Sequence, residues 1–419
     1  MSTTPGAALQ PQRTIDELKE LRALTGDAEG AQRVAFTDTW VTARSWMREK
    51  LAQLPVEVEI DAAGNQWATL RGTSDKELLI GGHIDSVPNG GWLDGCLNVL
   101  AGLEVLRRIA TEGTPPVTVR LVDWADEEGA RFGRSLFGSS AASGNFDPED
   151  LAELKDKDGI TLPDALKRVG IDLYTARRAS EQLKNAAAYL ELHIEQGPVL
   201  ESMELPLGVV LGTFGVERYR IIWKGQAAHS GSTPMDKRRD ALAGAAKMAL
   251  EIRDIARRAS NGAVCTSGGV VCRPGIVTSV VETAEQLLDQ RHLDPDTLAQ
   301  MLQDAKDASA RFAKEEKIDV TWERIWNIEP IPFHPDLIEL CDQAILETCG
   351  VSHRLPSGPL HDAAEVCRAG VPTIMLFVQS LRGISHNKIE DTKEAHIALS
   401  VEALDRLASK TIDWIVAQG

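Results

Sequence analysis

The 419-residue chain lacks the features that mark secreted and membrane-spanning proteins. Its six cysteines show no Cys-x-x-Cys spacing and no dense framework, which favours a reducing compartment over a disulfide-stapled fold. No apolar run reaches the length of a membrane span, and the polar segment from Met1 to Gln12 has no hydrophobic stretch typical of a signal peptide. We therefore expect a cytoplasmic protein without a membrane partner.

Positive charge is also scarce. The chain has 45 Lys and Arg residues against 62 Asp and Glu residues, a formal net charge of −17. This balance argues against nucleic acid and against an anionic membrane as partners. It does not exclude an anionic small molecule, because a local metal site or arginine can set the potential where the substrate binds. The hydrophobic fraction of 43% can fill full-sized cores, and the length predicts about two domains.

Metal-ligand residue types follow short apolar runs at several distant places in the chain. The runs at 78–80, 117–122, 187–192 and 372–378 are predicted to be buried strands. In open α/β sheets, sites collect at the carboxyl ends of such strands. Histidine and carboxylate together suit two adjacent divalent ions, zinc first, with manganese, cobalt or nickel as alternatives. The candidate ligands are His83, Asp94, Glu128, His193 and His386.

Three acidic residues near these ligands suggest further roles. Asp94 lies in the glycine-rich loop 89–95 and can approach both ions as a bridge. Glu127 adjoins Glu128, so that one carboxylate can bind metal while the other acts on the attacking water as general base. Asp85 is placed to accept the second imidazole proton of His83. Each motif alone is commonly structural, and the prediction of a hydrolase depends on their combination.

Together the motifs resemble the amidase, hydantoinase/carbamoylase family, a branch of the two-metal aminoacylase and carboxypeptidase-like peptidase superfamily. His193 is informative, because the family has His where peptidases of the superfamily have Asp or Glu. The resemblance runs from about residue 80 to 395. The matching stretches are GGHIDSVPNGGWLDG, ADEEGARFGRSLFGS, ELHIEQGPVLE, GQAAHSGSTPMDKRRDA, LDQRHLD, SGPLHDA and GISHNKIEDT.

The resemblance implies an α/β fold with a two-metal, aminopeptidase-like catalytic domain around a central mixed sheet. It also implies an inserted α+β, ferredoxin-like domain that serves dimerisation and acts as a lid. One metal would be held by His83, Asp94 and His193, and the other by Asp94, Glu128 and His386. Glu127 would be the catalytic base, and Asp85 would orient His83.

The resemblance also assigns substrate contacts. Gln196 would contact the amide region of the substrate, and Arg291 would clamp its carboxylate with a bidentate pair. His229 would reach across the interface of a homodimer and stabilise the tetrahedral oxyanion. Taken without the motif, His229 is a loop histidine that hydrogen-bonds its own turn.

Some positions depart from the family pattern in the region that recognises the substrate. Thr278 stands where the family has a substrate-binding Asn, and the stretch from Gly358 to Asp362, which contains the pocket residue His361, is bulkier than usual. Trp92 replaces a common basic residue in the metal loop, and Asn98 replaces a common Gly. These changes leave the metal ligands intact and raise the expectation of a larger, more apolar substrate.

The order of predicted elements changes in the middle of the chain. Before it, we predict a helix, two strands, a second helix and a charged helical segment, at 32–54, 56–70, 98–110 and 148–186. After residue 212 the order becomes strand, helix, strand, strand, helix and strand. The first five of these elements are predicted at 217–223, 236–260, 268–281, 284–289 and 296–317. This predicts a catalytic domain at 1–211 and 327–419 and an inserted domain at 212–326, with hinges near 207–213 and 327–333.

Three functions remain open on the sequence. The first is metal-dependent hydrolysis of a linear, non-peptide C–N bond in a carboxylate-bearing substrate, an N-carbamoyl-L-amino acid or related ureido acid. The second is an N-acyl-amino-acid amidohydrolase or dipeptidase that accepts a bulkier apolar acyl group. The third is a non-catalytic, metal-binding dimeric scaffold, which the intact set of ligands and Glu127 disfavours.

Overall fold

The computed structural model describes residues 8–259 and 262–419. The predictions for residues 1–7 and for Ser260, the predicted end of a helix, fall outside the described residues. The chain forms two compact units. Unit 1 comprises Met1–Leu211, Phe333–Leu355 and Leu360–Gly419, described from residue 8 onward, and unit 2 comprises Gly212–Pro332 and Pro356–Pro359.

The described part of the chain contains fifteen strands, numbered in chain order. They are β1 Gly26–Asp27, β2 Gly30–Ala31, β3 Glu57–Ile60, β4 Gln66–Leu70, β5 Glu77–His83, β6 Thr118–Trp124, β7 Ala186–Ile194, β8 Leu207–Thr213, β9 Gly215–Lys224, β10 Val264–Arg273, β11 Thr283–His292, β12 Asp319–Ile328, β13 Ile331–Pro332, β14 Arg354–Ser357 and β15 Thr373–Val378.

Twelve α-helices accompany them in the same described ranges. They are α1 Pro11–Thr25, α2 Asp38–Leu51, α3 Cys96–Thr111, α4 Phe137–Ser143, α5 Pro148–Leu151, α6 Leu162–Arg168, α7 Val199–Ser202, α8 Ala241–Ala259, α9 Pro295–Glu316, α10 Pro335–Cys349, α11 Asp362–Arg368 and α12 Glu394–Ala417. None of these described helices combines the length and the apolar character that crossing a bilayer requires.

Unit 1 is built on a mixed sheet in the order β8-β15-β7-β5-β6-β4-β3. The four central strands β15, β7, β5 and β6 run parallel, and β4, β3 and β8 pair antiparallel toward the edges. Strands β5, β6 and β15 are buried along their whole length, which explains why their sequences are largely apolar. Helices α3, α12 and α11 pack on this sheet. The predicted α/β class with a central mixed sheet is confirmed.

Local capping explains where two elements of unit 1 differ from prediction. Helix α2 begins at Asp38 rather than near residue 32, because the Thr37 hydroxyl accepts a hydrogen bond from the Trp40 amide and so starts the helix there. The segment 148–186 is not a continuous helical insertion. It contains two short helices and a 3₁₀ segment at Ala176–Leu183.

Unit 2 has a four-stranded antiparallel sheet in the order β10-β11-β9-β12, with α8 and α9 packed on it. The predicted order of strand, helix, strand, strand, helix and strand is found, and this connectivity with this strand order is the ferredoxin-like topology. Its buried core includes Ile221, Trp223, Met248, Ile252 and Phe312.

Element ends in unit 2 differ from the sequence prediction. Helix α8 begins at Ala241 rather than at residue 236, because Pro234 and a 3₁₀ turn at Met235–Lys237 precede it. Strand β10 ends at Arg273, so the predicted strand residues 274–281, including Thr278, form a loop. Strand β12, the last of the predicted order, spans Asp319–Ile328.

Candidate metal centre

The five predicted metal ligands meet in unit 1 around the Asp94 carboxylate. Its Oδ1 lies 3.1 Å from His193 Nε2 and 3.9 Å from His83 Nε2. Its Oδ2 lies 3.3 Å from His386 Nε2, which is itself 3.3 Å from Glu128 Oε2. Two sets therefore share Asp94, one with His83 and His193 and one with Glu128 and His386, and the ligand atoms within each set lie within 4.8 Å of one another.

The sheet brings these ligands to one edge. His83 ends β5, His193 lies near the end of β7, and Glu127 and Glu128 follow β6. These strands are parallel neighbours, so their carboxyl ends meet. Gly95 is required beside them, because it has φ +66° and a Cβ there would lie 2.2 Å from His83 Cε1.

Left-handed backbone occurs in this region at residues that are not glycine, among them Asp126, Gln196 and His386. Asp126, Gln196 and His386 have φ of +56°, +56° and +54°. Such conformations cost about 1–3 kcal/mol each and concentrate at functional sites, where the surrounding structure enforces them. Here they turn the chain sharply beside Glu127, within the Gln196 loop and at the His386 ligand.

Contacts at Nδ1 orient the buried imidazoles of His83 and His193. His193 Nδ1 lies 2.8 Å from the Ile194 carbonyl oxygen, and His83 Nδ1 lies 3.2 Å from the Asp85 carbonyl oxygen and 3.6 Å from Asp85 Oδ1. A carbonyl oxygen accepts from Nδ1–H and leaves Nε2 as the ligand atom. The shorter contact of Asp85 with His83 therefore comes from its backbone. Its carboxylate accepts hydrogen bonds from the Glu127 and Glu128 amides at 3.3 and 3.2 Å.

The electrostatics of the centre favour a cation. Burial, together with the nearby carboxylates of Asp362 and Glu128, raises the pKa of Glu127 well above its usual value. Burial and Asp94 do the same for the pKa of Glu128. These carboxylates repel one another, and a divalent ion would remove that repulsion.

The pKa of His193 and the pKa of Asp94 are shifted in opposite directions. Burial alone would lower the pKa of His193, but the contact with Asp94 outweighs burial and raises that pKa to about 9. Burial alone would raise the pKa of Asp94, but His193 and His386 hold it well below its usual value. Without a metal ion, the proton on His193 therefore supplies positive charge beside Asp94.

The residues present fit a pair of divalent ions. Among the described residues, His83 Nε2 and Glu128 Oε1 are buried without a hydrogen-bond partner, and both belong to the candidate ligand sets. Buried polar atoms normally have a partner, so such atoms need another explanation, which a bound ion would supply. Imidazole and carboxylate donors suit zinc and its first-row neighbours.

Two predicted substrate residues lie beside the metal ligands. Gln196 Nε2 donates to Asp94 Oδ2 at 2.9 Å and to Ser385 Oγ at 3.0 Å. The His361 ring is 4.2 Å from the His193 ring, centroid to centroid. Burial and the neighbouring His193 hold the pKa of His361 well below its usual value, so its ring is neutral.

Glu390 is a residue of the centre that the sequence did not single out. Its Oε1 accepts hydrogen bonds from the amides of Leu93 and Asp94, and its Oε2 accepts one from the Ser385 hydroxyl, which also contacts Asp94. Burial, followed by Asp94, raises its pKa to about 7. Only its place in the stretch GISHNKIEDT pointed to it, since no local pattern predicts a contact with residues almost 300 positions earlier.

The departures from the family pattern in the metal loop have packing roles. Trp92 is 7% exposed and donates from Nε1 to Asp391, so it anchors the loop in the interior. Asn98 is fully buried on α3, close enough to Gly82 that a Cβ at that glycine would lie 2.9 Å from Asn98 Cβ.

The other predicted substrate residues belong to unit 2. Arg291 donates from Nε to Asp289 at 2.8 Å and from Nη1 to the Gly358 carbonyl oxygen at 3.0 Å. Arg218 contacts the same aspartate at 2.7 Å, so two guanidinium groups share one carboxylate and one positive charge remains unneutralised.

His229 is exposed and hydrogen-bonds the turn that follows it, as expected for a loop histidine. The Ser232 and Thr233 amides donate to its carbonyl oxygen, and the Gly231 amide donates to its Nδ1 at 3.1 Å. A neutral ring that accepts at Nδ1 carries its proton on Nε2. The neighbouring Thr278 is exposed and accepts the Ser230 amide through its carbonyl oxygen.

The fold and the paired candidate ligand sets are those of a metal-dependent hydrolase, and comparison with known proteins identifies the family. Residues 79–410 match the model of Peptidase family M20/M25/M40. The chain belongs to this family, within its branch of hydantoinase/carbamoylase amidases, and is an amidohydrolase.

Similar proteins cover nearly all of the chain. An N-carbamoyl-L-amino acid amidohydrolase of Geobacillus stearothermophilus is 34% identical, covering 98% of this chain and all of its own length. An allantoate amidohydrolase of Escherichia coli K12 is 33% identical, over 90% and 92% of the two chains. The crystal structure of an amidase of the hydantoinase/carbamoylase family from Burkholderia multivorans has a TM-score of 0.86 at 31% identity, covering 96% and 98% of the chains.

Proposed function

We propose that the protein hydrolyses the ureido C–N bond of an N-carbamoyl-L-amino acid or a related ureido acid. The observation that carries the proposal is the Asp94 carboxylate, whose two oxygens each face a separate set of ligands. The relatives named as N-carbamoyl-L-amino acid and allantoate amidohydrolases support the ureido class of substrate.

Zinc is the proposed metal, with manganese, cobalt or nickel as alternatives, because the ligands are imidazoles and carboxylates. One ion would be held by His83, Asp94 and His193, and the other by Asp94, Glu128 and His386. When bound, such ions supply Lewis acidity that polarises the scissile carbonyl and acidifies the attacking water.

Glu127 is the proposed general base. It is buried, its Oε2 lies 3.7 Å from His83 Nε2, and the raised pKa lets it hold a proton between steps. It takes the proton of the attacking water and delivers it to the leaving nitrogen. His229 donates from Nε2–H to the oxyanion, and its Nδ1 contact with Gly231 favours the tautomer that this role needs.

Arg291 is the proposed clamp for the substrate carboxylate. Asp289 and the Gly358 carbonyl fix its guanidinium plane, and the second guanidinium on Asp289 leaves the pair net positive. A fixed planar fork matches a carboxylate in bidentate fashion. Gln196, His361, Gly358 and Thr278 are proposed to line the remainder of the substrate site.

The test is hydrolysis by metal-reconstituted protein of a panel of N-carbamoyl, allantoate, N-acyl and dipeptide substrates. Ammonia and free amino acid are measured in parallel. We expect both products from a ureido substrate. Amino acid without ammonia would instead establish acyl-amide cleavage, and full metal content without turnover of any substrate would favour the scaffold.

We also propose a cytoplasmic location, which the absence of Cys-x-x-Cys spacing and of a dense cysteine framework in the sequence supports.

We further propose a homodimer in which His229 serves the partner's metal centre. The dimer is tested by mixing Glu127→Gln and His229→Ala subunits, each inactive alone. A shared site restores about a quarter of wild-type activity, since half of the dimers are mixed and each has one complete site. No recovery after verified subunit exchange would place His229 in its own subunit's site or outside the mechanism.

A further inference from the structure

A cavity of about 570 Å³ opens in unit 1 beside helix α2. Its apolar walls include Phe36, Trp40, Ile60, Val169 and Ile171. Pockets for small organic ligands have volumes of roughly 300–1,000 Å³ and mostly apolar walls with a few polar groups. In size the cavity falls within this class, and its lining is richer in polar and charged residues than is usual for it.

The charged groups of the cavity are mainly cationic. Arg44, Arg48, Arg131 and Arg168 line it together with the carboxylate of Asp38. Arg131 is paired with Asp156 and Arg44 with Asp123, so the positive charge without an ion-pair partner among the described residues lies on Arg48 and Arg168, in a chain whose net charge is −17. Arg48 and Arg168 are exposed at the rim, whereas Arg44 is 5% exposed on the floor.

Two buried donors on the floor have capacity for a ligand. Arg44 forms an ion pair from Nε to Asp123 Oδ2 at 2.8 Å, but its Nη2 has no hydrogen-bond partner among the described residues. Trp40 Nε1, 2% exposed, has none among them either. The Arg44 guanidinium stacks on the Trp40 ring at 4.4 Å, which holds both groups in place. Unsatisfied buried donors are rare, and the two residues that carry these donors both line the cavity.

From these observations we propose that the cavity beside α2 binds a small organic anion, an aromatic or aliphatic carboxylate with an apolar body. The carboxylate accepts hydrogen bonds from the buried Arg44 and Trp40 donors, while Arg48 and Arg168 attract it from the rim. The apolar body packs on Phe36, Ile60 and Ile171.

This site is distinct from the metal centre. None of the candidate metal ligands, Glu127 or Arg291 lines the cavity. Asp123 Oδ2 pairs with Arg44 and Asp123 Oδ1 accepts the amide of Ile84, the residue after His83, so the Arg44 ion pair belongs to the support of the metal-binding strand. The proposed anion uses the Nη2 group of Arg44, which leaves this ion pair in place.

The experiment is a titration of 4-fluorophenylacetate followed by ¹⁹F NMR line broadening, which detects weak binding. The matched neutral probe is 4-fluorophenethyl alcohol. The test variant is Arg48→Glu with Arg168→Glu, since both side chains are exposed and their replacement spares the buried floor. The control is Arg177→Glu with Arg178→Glu, two exposed arginines outside the cavity that give the same change in net charge.

We expect the carboxylate to bind, the alcohol to bind at least about tenfold more weakly, and the rim variant to raise Kd by at least about fivefold. The control variant, an Arg291→Ala variant and chelator-treated protein should all stay within about twofold of wild type, because their changes lie outside the cavity. The proposal is overturned by equal binding of acid and alcohol, by a smaller loss in the rim variant, or by loss of binding in the Arg291 variant or after chelation.

Discussion

Replacement of Glu127 by Gln is expected to lower the catalytic rate without lowering the stability of the fold. The side chain is 8% exposed, and the carboxylates of Asp362, Glu128, Asp85 and Asp94 all raise its pKa in addition to burial. A neutral amide of the same shape removes repulsion among these groups. We therefore expect the thermal unfolding temperature of the metal-free variant to be equal to or higher than that of wild type.

The rate should nevertheless fall steeply. Removal of a positioned general base costs about 10²–10⁴ in rate, which raises the barrier by about 2.7–5.5 kcal/mol. The assay is ammonia release by metal-loaded protein, with metal content measured on the same sample. A Glu365→Gln variant is the control, since Glu365 is another buried glutamate and belongs to none of the ligand sets.

Two results would refute this reasoning. A rate within about tenfold of wild type would show that Glu127 is not the base. Loss of one ion would show that Glu127 is a ligand, as its place in a third group with His83 and Glu128 allows. An unchanged metal content with a collapsed rate supports the proposed role.

Three further outcomes follow from the same geometry. Asp94→Ala should lose both ions, whereas His386→Ala should retain one, because only Asp94 belongs to both sets; elemental analysis of the variants decides this. Arg291→Lys should raise KM for carboxylate substrates about tenfold or more with a smaller effect on kcat, since a lysine keeps the charge but not the fork; an unchanged KM would remove Arg291 from substrate binding. In the metal-free protein the pKa of His193 is raised to about 9, so a proton occupies that ligand at neutral pH. Metal affinity should therefore rise by about tenfold or more per pH unit as the pH approaches 9, because the Glu128 ligand also has a raised pKa, as measured by competition with a chelator of known affinity; a pH-independent affinity would contradict the raised pKa values.

The sequence predicted the elements of the sheet better than their ends. Largely apolar runs identified β5, β6, β7 and β15, because parallel strands covered on both faces bury most of their side chains. It placed the end of β10 eight residues too late, since loop 274–281 also contains β-branched residues. Hydrogen bonding to neighbouring strands decides where a strand ends, and that information is not local.

Residue chemistry and spacing along the chain were sufficient to propose the ligands His83, Asp94, Glu128, His193 and His386, since imidazole and carboxylate after strand ends have few other joint uses. Only the tertiary structure determined which oxygen of Asp94 faces which set of ligands. It also showed that the Asp85 carboxylate accepts hydrogen bonds from the amides of Glu127 and Glu128. Glu390, near the end of the chain, accepts a hydrogen bond from the Asp94 amide in the metal loop. The same holds for the arginine-lined cavity beside α2, whose residues come from four separate segments. The reason is physical: a ligand type is a property of one side chain, whereas orientation, burial and charge repulsion arise from groups that are distant in sequence and meet only when the chain is folded.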